Sequence, residues 1–448
     1  MGILMAGTAK TVITPPIGYR MGQWGLRQGR STGVYRDLFT RTLVLDDGET
    51  KLAIVSMEVC GIPKDTMQDI QRKVSGLTGI PAESLLVNST HNHTAPDILL
   101  GVTPEWRTYA TYLADIVAGS VYEALHAMRP AEAGHASGKL EGWTINRQSP
   151  DRPVDNEVGV LRVDEPDGAP IARVVNFAAH GVCDGGQYLD WSGDFSGELS
   201  STIEEVDAGA VAIHLQGAAG DIHPFDWWFG NLESKYLHTH ADTAQFGEAI
   251  AREALRVSVT IEPTADVKLS SGAAEIALPR RQVSWSVEEA EKLHRKLSGG
   301  LGKYTGDIWP EGTTTANAAE RHAEMYGNGR NELSLATNQS LPPVPLAVQA
   351  FRIGELVISA HAGELFNELG LAIKEGASGE RPWVASYSSE YIGYVSTRRP
   401  YAEITGIPVA ELVNMKRFRR LYGTTTSPFA PEAGELLVDR AIQLLETV

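Results

Sequence analysis

VNSTHNHTAPD, residues 87–97, ends the apolar run SLLVNST (84–90), which reads as a buried strand. His91 and His93 follow it one residue apart, and the carboxylate Asp97 comes four residues later. The same punctuation recurs along the chain. ARVVNFAA (172–179) runs into His180, and AVAIHLQG (210–217) is followed by Asp221-Ile222-His223. ELVISA (355–360) precedes His361-Ala362-Gly363-Glu364, and WVASY (383–387) opens a tyrosine cluster of Tyr387, Tyr391 and Tyr394. In open α/β sheets, ligands bind outside the carboxyl ends of strands. One polar residue after a strand is ordinarily a hydrogen-bonded turn residue. Repetition at successive strand ends predicts one shared site.

Working outward, strand-like runs alternate with helical patterns. RTLVLDD (41–47) and KLAIVSMEV (51–59) flank a DG turn and predict a hairpin. KDTMQDIQRKVSGLTG (64–79) predicts a helix stopped by glycine. Residues 104–128 and 243–257 carry amphipathic helical periodicity, and 435–447 closes the chain as a helix. Further strands are expected at 158–164, 172–179, 210–217 and 348–360. Strands separated by helices imply an α/β or mixed architecture. No solenoid period is present. Residues 286–340 open with a serine-capped helix and continue into Gly, Thr and Asn. That composition fits either an insertion or lid over a site, or a surface excursion.

Charge and cysteine content exclude several classes. The formal charge of −17 repels phosphate backbones, so nucleic acid is not an expected partner. Two cysteines, Cys60 and Cys183, rule out a disulfide scaffold and a multi-cysteine zinc module. No apolar run reaches the roughly 18 residues needed to span a bilayer, so no stable membrane insertion is expected. The N-terminus lacks the pattern of a secretory leader, which makes the cytoplasm the default location.

Imidazole and carboxylate together suit zinc. A catalytic zinc takes three or more protein ligands, keeps a position open, and brings the pKa of its water toward about 7. A second histidine of the pair need not be a ligand; it can donate to an oxyanion or act as an acid. Other residues have plainer readings. Asp194 and Asp221 stand beside glycine, where turn stabilisation competes with chemistry. His361 makes an H-x-x-E pair with Glu364. Cys183 lies close to His180, and Cys60 ends an apolar strand as packed core. Trp227, Trp228 and Phe229 either line a pocket or anchor a loop.

Several of these motifs, in this order, resemble the neutral, non-lysosomal ceramidases, a family of zinc-dependent amidohydrolases. AGTAKTVITPPIG (6–18), VNSTHNHTAPD, NRQSP (146–150), NFAAHG (176–181), GDFSGE (193–198), GAAGDIHP (217–224), AGE (362–364) and YIGYVST (391–397) carry the resemblance. It covers the catalytic domain of that family and implies a multi-layer, mixed-sheet α/β domain with helices packed on the sheets. Residues 1–448 would then form one catalytic domain, with 286–340 either an insertion or lid on it or a surface excursion. The resemblance further implies zinc ligands at His91, His180, Glu364 and Tyr394, with Tyr391 the nearest competitor of Tyr394. It places His93 in the active site and matches the family's arginine to Arg147. Three departures stand out. His223 occupies the position of the family's serine, as an acid/base group or as a ligand to a second metal beside Asp221. A later tyrosine is missing, and no C-terminal β-sandwich is expected within residues 1–448. The implied activity is hydrolysis of a small or amphiphilic N-acyl amide through zinc-activated water, with His93 or His223 as acid. The alternatives are a metal-dependent esterase or lactonase, or a non-catalytic metal-binding protein with a decayed site. Oligomeric state is left open.

Overall fold

Alternation along the strands decides how the layers stack. The computed structural model describes residues 3–21, 30–96, 98–99, 104–225, 238–293, 330–379, 381–412 and 419–448. β1 (Met5–Val12), β2 (Phe39–Asp46), β3 (Lys51–Met57), β4 (Leu85–Ser89) and β5 (Arg129–Pro130) form one sheet in the order β4-β3-β2-β1-β5. Successive side chains point to opposite faces. Leu43, Leu45, Leu52 and Ile54 therefore go to one core, and Val44, Ala53, Val55 and Met57 to another. The expected hairpin is present, with Asp46 opposite Lys51.

The same plan is used twice more. β6 (Glu132–Lys139), β7 (Glu157–Asp164), β8 (Pro170–Phe177) and β9 (Val211–Gln216) form a sheet in the order β9-β8-β7-β6. β10 (Leu269–Leu278), β11 (Val344–Ile353), β12 (Leu356–Ala360) and β13 (Trp383–Ala385) form the third, in sequence order. Each sheet carries helices on its outer face. α1 (Lys64–Thr78) and α2 (Pro104–His126) pack Ile70, Val74, Val117 and Val121 against Val44 and Val55. α3 (Asp194–Val206) and α4 (His240–Ser258) pack Phe195, Ile203, Phe246 and Ile250 against Val160 and Phe177. α5 (Asn367–Gly376) and α6 (Ala433–Leu445) pack Leu369, Ile373 and Leu437 against Val348 and Val384. The inner faces of all three sheets meet in one core that includes Leu43, Leu45, Leu161, Ile213, Phe351, Ile358 and Trp383. Burial on both faces accounts for near-continuous apolar runs such as KLAIVSM.

Each sheet also contains one parallel pair: β3 with β4, β8 with β9, and β12 with β13. A parallel pair brings two carboxyl ends to the same edge, and these ends lead into the segments that carry His91, His180, Asp221, His361 and Tyr387.

Helix ends follow local chemistry. α1 stops at Gly79, whose φ of 77° lets its N–H reach Ser75 O. α4 starts three residues before its expected position because Thr239 and Asp242 form a capping box. The stretch 348–360, expected as continuous strand, is part of a hairpin. β11 and β12 pair antiparallel around Gly354, which adopts φ 60°. In the 286–340 region, the helix at 287–293 is capped by Ser286 and Glu289 as expected. Trp285, Ala290, Leu335 and Ala336 pack with Tyr401, Ile404, Leu412 and Leu421 in a satellite core. Nearly all of the Gly/Thr/Asn-rich stretch, read as an insertion or lid or as a surface excursion, lies outside the described residues (294–329), as do Asp97 and Trp227–Phe229. Among the described residues, no helix is long and apolar enough to cross a membrane.

Candidate metal centre and catalytic site

Two turns place the first imidazoles. β4 ends at Ser89, and His91 adopts a left-handed φ of 58°, a conformation that costs a non-glycine residue of order 1–3 kcal/mol. Its segment then runs against the one after β8, where His93 N–H donates to Gly181 O. Gly181 is required there, since a Cβ would lie 2.4 Å from His91 O. Gly220 serves the third approach, its Cβ position being 2.6 Å from Glu364 O.

The result is a buried cluster of nitrogen and oxygen atoms. His91 Nε2 lies 3.0 Å from His180 Nε2, 3.2 Å from His93 Nε2 and 3.2 Å from Glu364 Oε2. His180 Nε2 is 3.6 Å from the same carboxylate oxygen. Both ligand-type imidazoles are oriented from behind. His91 Nδ1 is 2.7 Å from Cys60 O, and His180 Nδ1 is 3.0 Å from Ala219 O. A carbonyl only accepts, so each Nδ1 carries the proton and each Nε2 presents a lone pair. Lone pairs 3.0 Å apart, beside Glu364 Oε2, which has no hydrogen-bond partner among the described residues, repel one another in the absence of a cation. A shared proton is disfavoured, because burial and then His91 and Arg147 hold His180 well below its ordinary pKa. His91, His180 and Glu364 thus have the composition, mutual reach and tautomers of a divalent-cation site.

Tyrosines surround the carboxylate. Tyr391 OH donates to Glu364 Oε1 at 2.5 Å. Tyr394 stands opposite Glu364 in a short parallel ribbon and bonds both Glu364 and Arg147. Burial, with Glu364 adding to it, pushes both phenols well above their ordinary pKa. Arg147 is buried, donates to Gly220 O at 2.5 Å and lies over the Tyr394 ring at 5.2 Å. Burial opposes its charge, but Tyr394, Glu364 and Asp221 more than offset that and keep the guanidinium protonated. Arg147 Nη1 is also 3.3 Å from His223 Nε2. Since a guanidinium only donates, His223 Nε2 accepts. His223 stacks on His180 with ring centroids 5.6 Å apart.

All seven residues expected at the site, His91, His93, Arg147, His180, His223, Glu364 and Tyr394, come together. Others do not join it. Asp221 has both oxygens taken, Oδ1 by Asn367 N–H and Oδ2 by the Asn146 and Gln148 amides, so it staples the site wall rather than presenting a ligand. Asp194 accepts from three backbone N–H groups, as a turn-stabilising residue does. His361 turns to Ser359 Oγ, and Cys183 is packed in the core behind α3 and α4. Two contributors were not expected from the sequence, the carbonyls of Cys60 and Ala219. Backbone acceptors carry no residue signature, and the only available hint was their position at strand ends.

No family model matches the sequence, and no curated protein sequence does. Solved structures do match. The neutral ceramidase of Pseudomonas aeruginosa aligns over 100% of this chain and 75% of its own, with a TM-score of 0.71 and 18% identity. A ceramidase complexed with C2 aligns over 100% and 76%, with a TM-score of 0.73 and 18% identity. This chain therefore has a neutral ceramidase-like fold along its full length.

Proposed function

We propose that this protein is a zinc-dependent hydrolase that cleaves the carbon–nitrogen bond of a small or amphiphilic N-acyl amide. The observation that carries the reading is the convergence of the His91 and His180 Nε2 lone pairs on Glu364 Oε2. The ceramidase-like fold supports it. His91, His180 and Glu364 would hold the zinc, with the Tyr394 oxygen as fourth ligand. When bound, zinc acidifies a water molecule and polarises a carbonyl oxygen.

The chain's own groups do the rest. The Cys60 and Ala219 carbonyls fix the two ligand rings. Arg147, a buried cation, orients the substrate's acyl oxygen. His93 is the least buried histidine of the cluster, and its Nε2 would take a proton from the attacking water and pass it to the departing amine. His223, accepting from Arg147, aims that guanidinium.

Elemental analysis of purified protein is the direct test. Wild type should carry zinc, and His91→Ala should lose both zinc and turnover of an N-acyl amide panel. Full zinc and full rate in His91→Ala would overturn the reading. His93→Gln should slow amide cleavage by about 10²–10⁴-fold and ester cleavage far less, because an alkoxide leaves without a proton.

A further inference from the structure

One residue touches the supports of three ligands and has no role in the chemistry above. Tyr387 lies at the carboxyl end of β13. Its N–H donates to Gly363 O at 2.9 Å, next to Glu364, and its carbonyl accepts from Ser89 N–H at 3.0 Å, two residues before His91. Its ring lies against the His91 imidazole, with centroids 4.2 Å apart and a 30° tilt. The same ring packs on Ala178, two residues before His180, and on Ala219, whose carbonyl orients the His180 ring. The stacked partners are strained alike: Tyr387 has φ 57° and His91 φ 58°. Such conformations persist only where surrounding structure over-determines them. Tyr387 is buried, and among the described residues its hydroxyl has no hydrogen-bond partner. Among the described residues, it is the ring and backbone that hold it in place.

We propose that Tyr387 is the positioning residue of the cation site, presetting His91, His180 and Glu364 before a metal binds. The inference rests on the metal reading given above. A ligand set held in place loses little freedom on binding, so removing the support lowers affinity even where the ligands stay.

The test measures zinc affinity by chelator competition and the visible spectrum of the Co²⁺-substituted protein, neither of which needs turnover. Tyr387→Asn keeps a side chain that tolerates left-handed backbone but deletes the ring. It should bind zinc at least about tenfold more weakly and shift the Co²⁺ bands, with a cooperative thermal transition retained. Tyr387→Phe should match wild type in both. If Tyr387→Asn does not fold, Tyr387→Leu, which keeps apolar volume, carries the same expectation. Wild-type zinc affinity in the ring-deleted variant, or an equal loss in Tyr387→Phe, overturns the inference and leaves the metal site standing. Absence of zinc binding in the wild-type protein overturns both.

Discussion

At the residue scale, burial does more than exclude water: it chooses protonation states. His180, His214 and His361 are all held neutral, and burial pushes His214 down to about 4 and His361 down to about 3. In the unfolded chain each takes a proton below about pH 6.5. The unfolded state then binds more protons, so stability falls as pH falls through that value. Between pH 7 and pH 5 the cost is about 2 kcal/mol each for His214 and His361. Asp194 works the other way. Burial and Asp184 raise it to about 7, so its carboxyl takes up a proton in the fold and contributes stability as pH drops. Urea unfolding of metal-free protein at the two pH values separates them. His361→Gln should lose about 2 kcal/mol less than wild type on acidification, and Asp194→Asn should lose more. Identical pH slopes for wild type and His361→Gln would show that His361 is already protonated in the fold.

At the element scale, the site is a product of strand ends meeting at close backbone range. β4 and β8 deliver their histidines through two segments that touch at Gly181, where a Cβ would overlap the His91 carbonyl. Gly181→Ala should therefore displace His91 and reduce zinc content, with a stability loss of about 1–3 kcal/mol from overpacking. Metal analysis and denaturant unfolding on one preparation check both halves. Unchanged zinc occupancy would mean the His91 turn is more pliable than its left-handed φ implies. Much of this scale was legible in the chain. Helix α1 was bounded by its glycine and the 41–59 hairpin by its DG turn. The capping box that lengthens α4 was readable in Thr239 and Asp242 but lay outside the apolar periodicity. The β11–β12 hairpin was missed because Gly354 alone, between two apolar runs, is a weaker turn signal than a DG pair.

At the scale of the whole molecule, three helix-backed sheets lean on one inner core, and a parallel pair in each supplies the site. Trp383 sits in that core and also packs over Gly159 of the neighbouring sheet. Trp383→Ala should cost about 3–5 kcal/mol. It should lower the melting temperatures read by far-UV and near-UV dichroism together, since loss at a shared core loosens all three sheets. Separate transitions for the two probes would show that the sheets fold independently. By itself the sequence determined which strand ends carry chemistry, because strand length, apolar runs and the polar residues after them are local properties. On that ground His91, His93, His180, Asp221, His223, His361, Glu364 and the tyrosines stood out together, and only the resemblance narrowed them. Only the tertiary structure decided that their atoms share one buried space and which nitrogen each ring presents, and also that Asp221 and His361 serve as struts. Those outcomes depend on sheet order, on glycine-permitted backbone contacts and on carbonyl acceptors, whose chemistry is the same in every residue and so leaves no mark in the sequence.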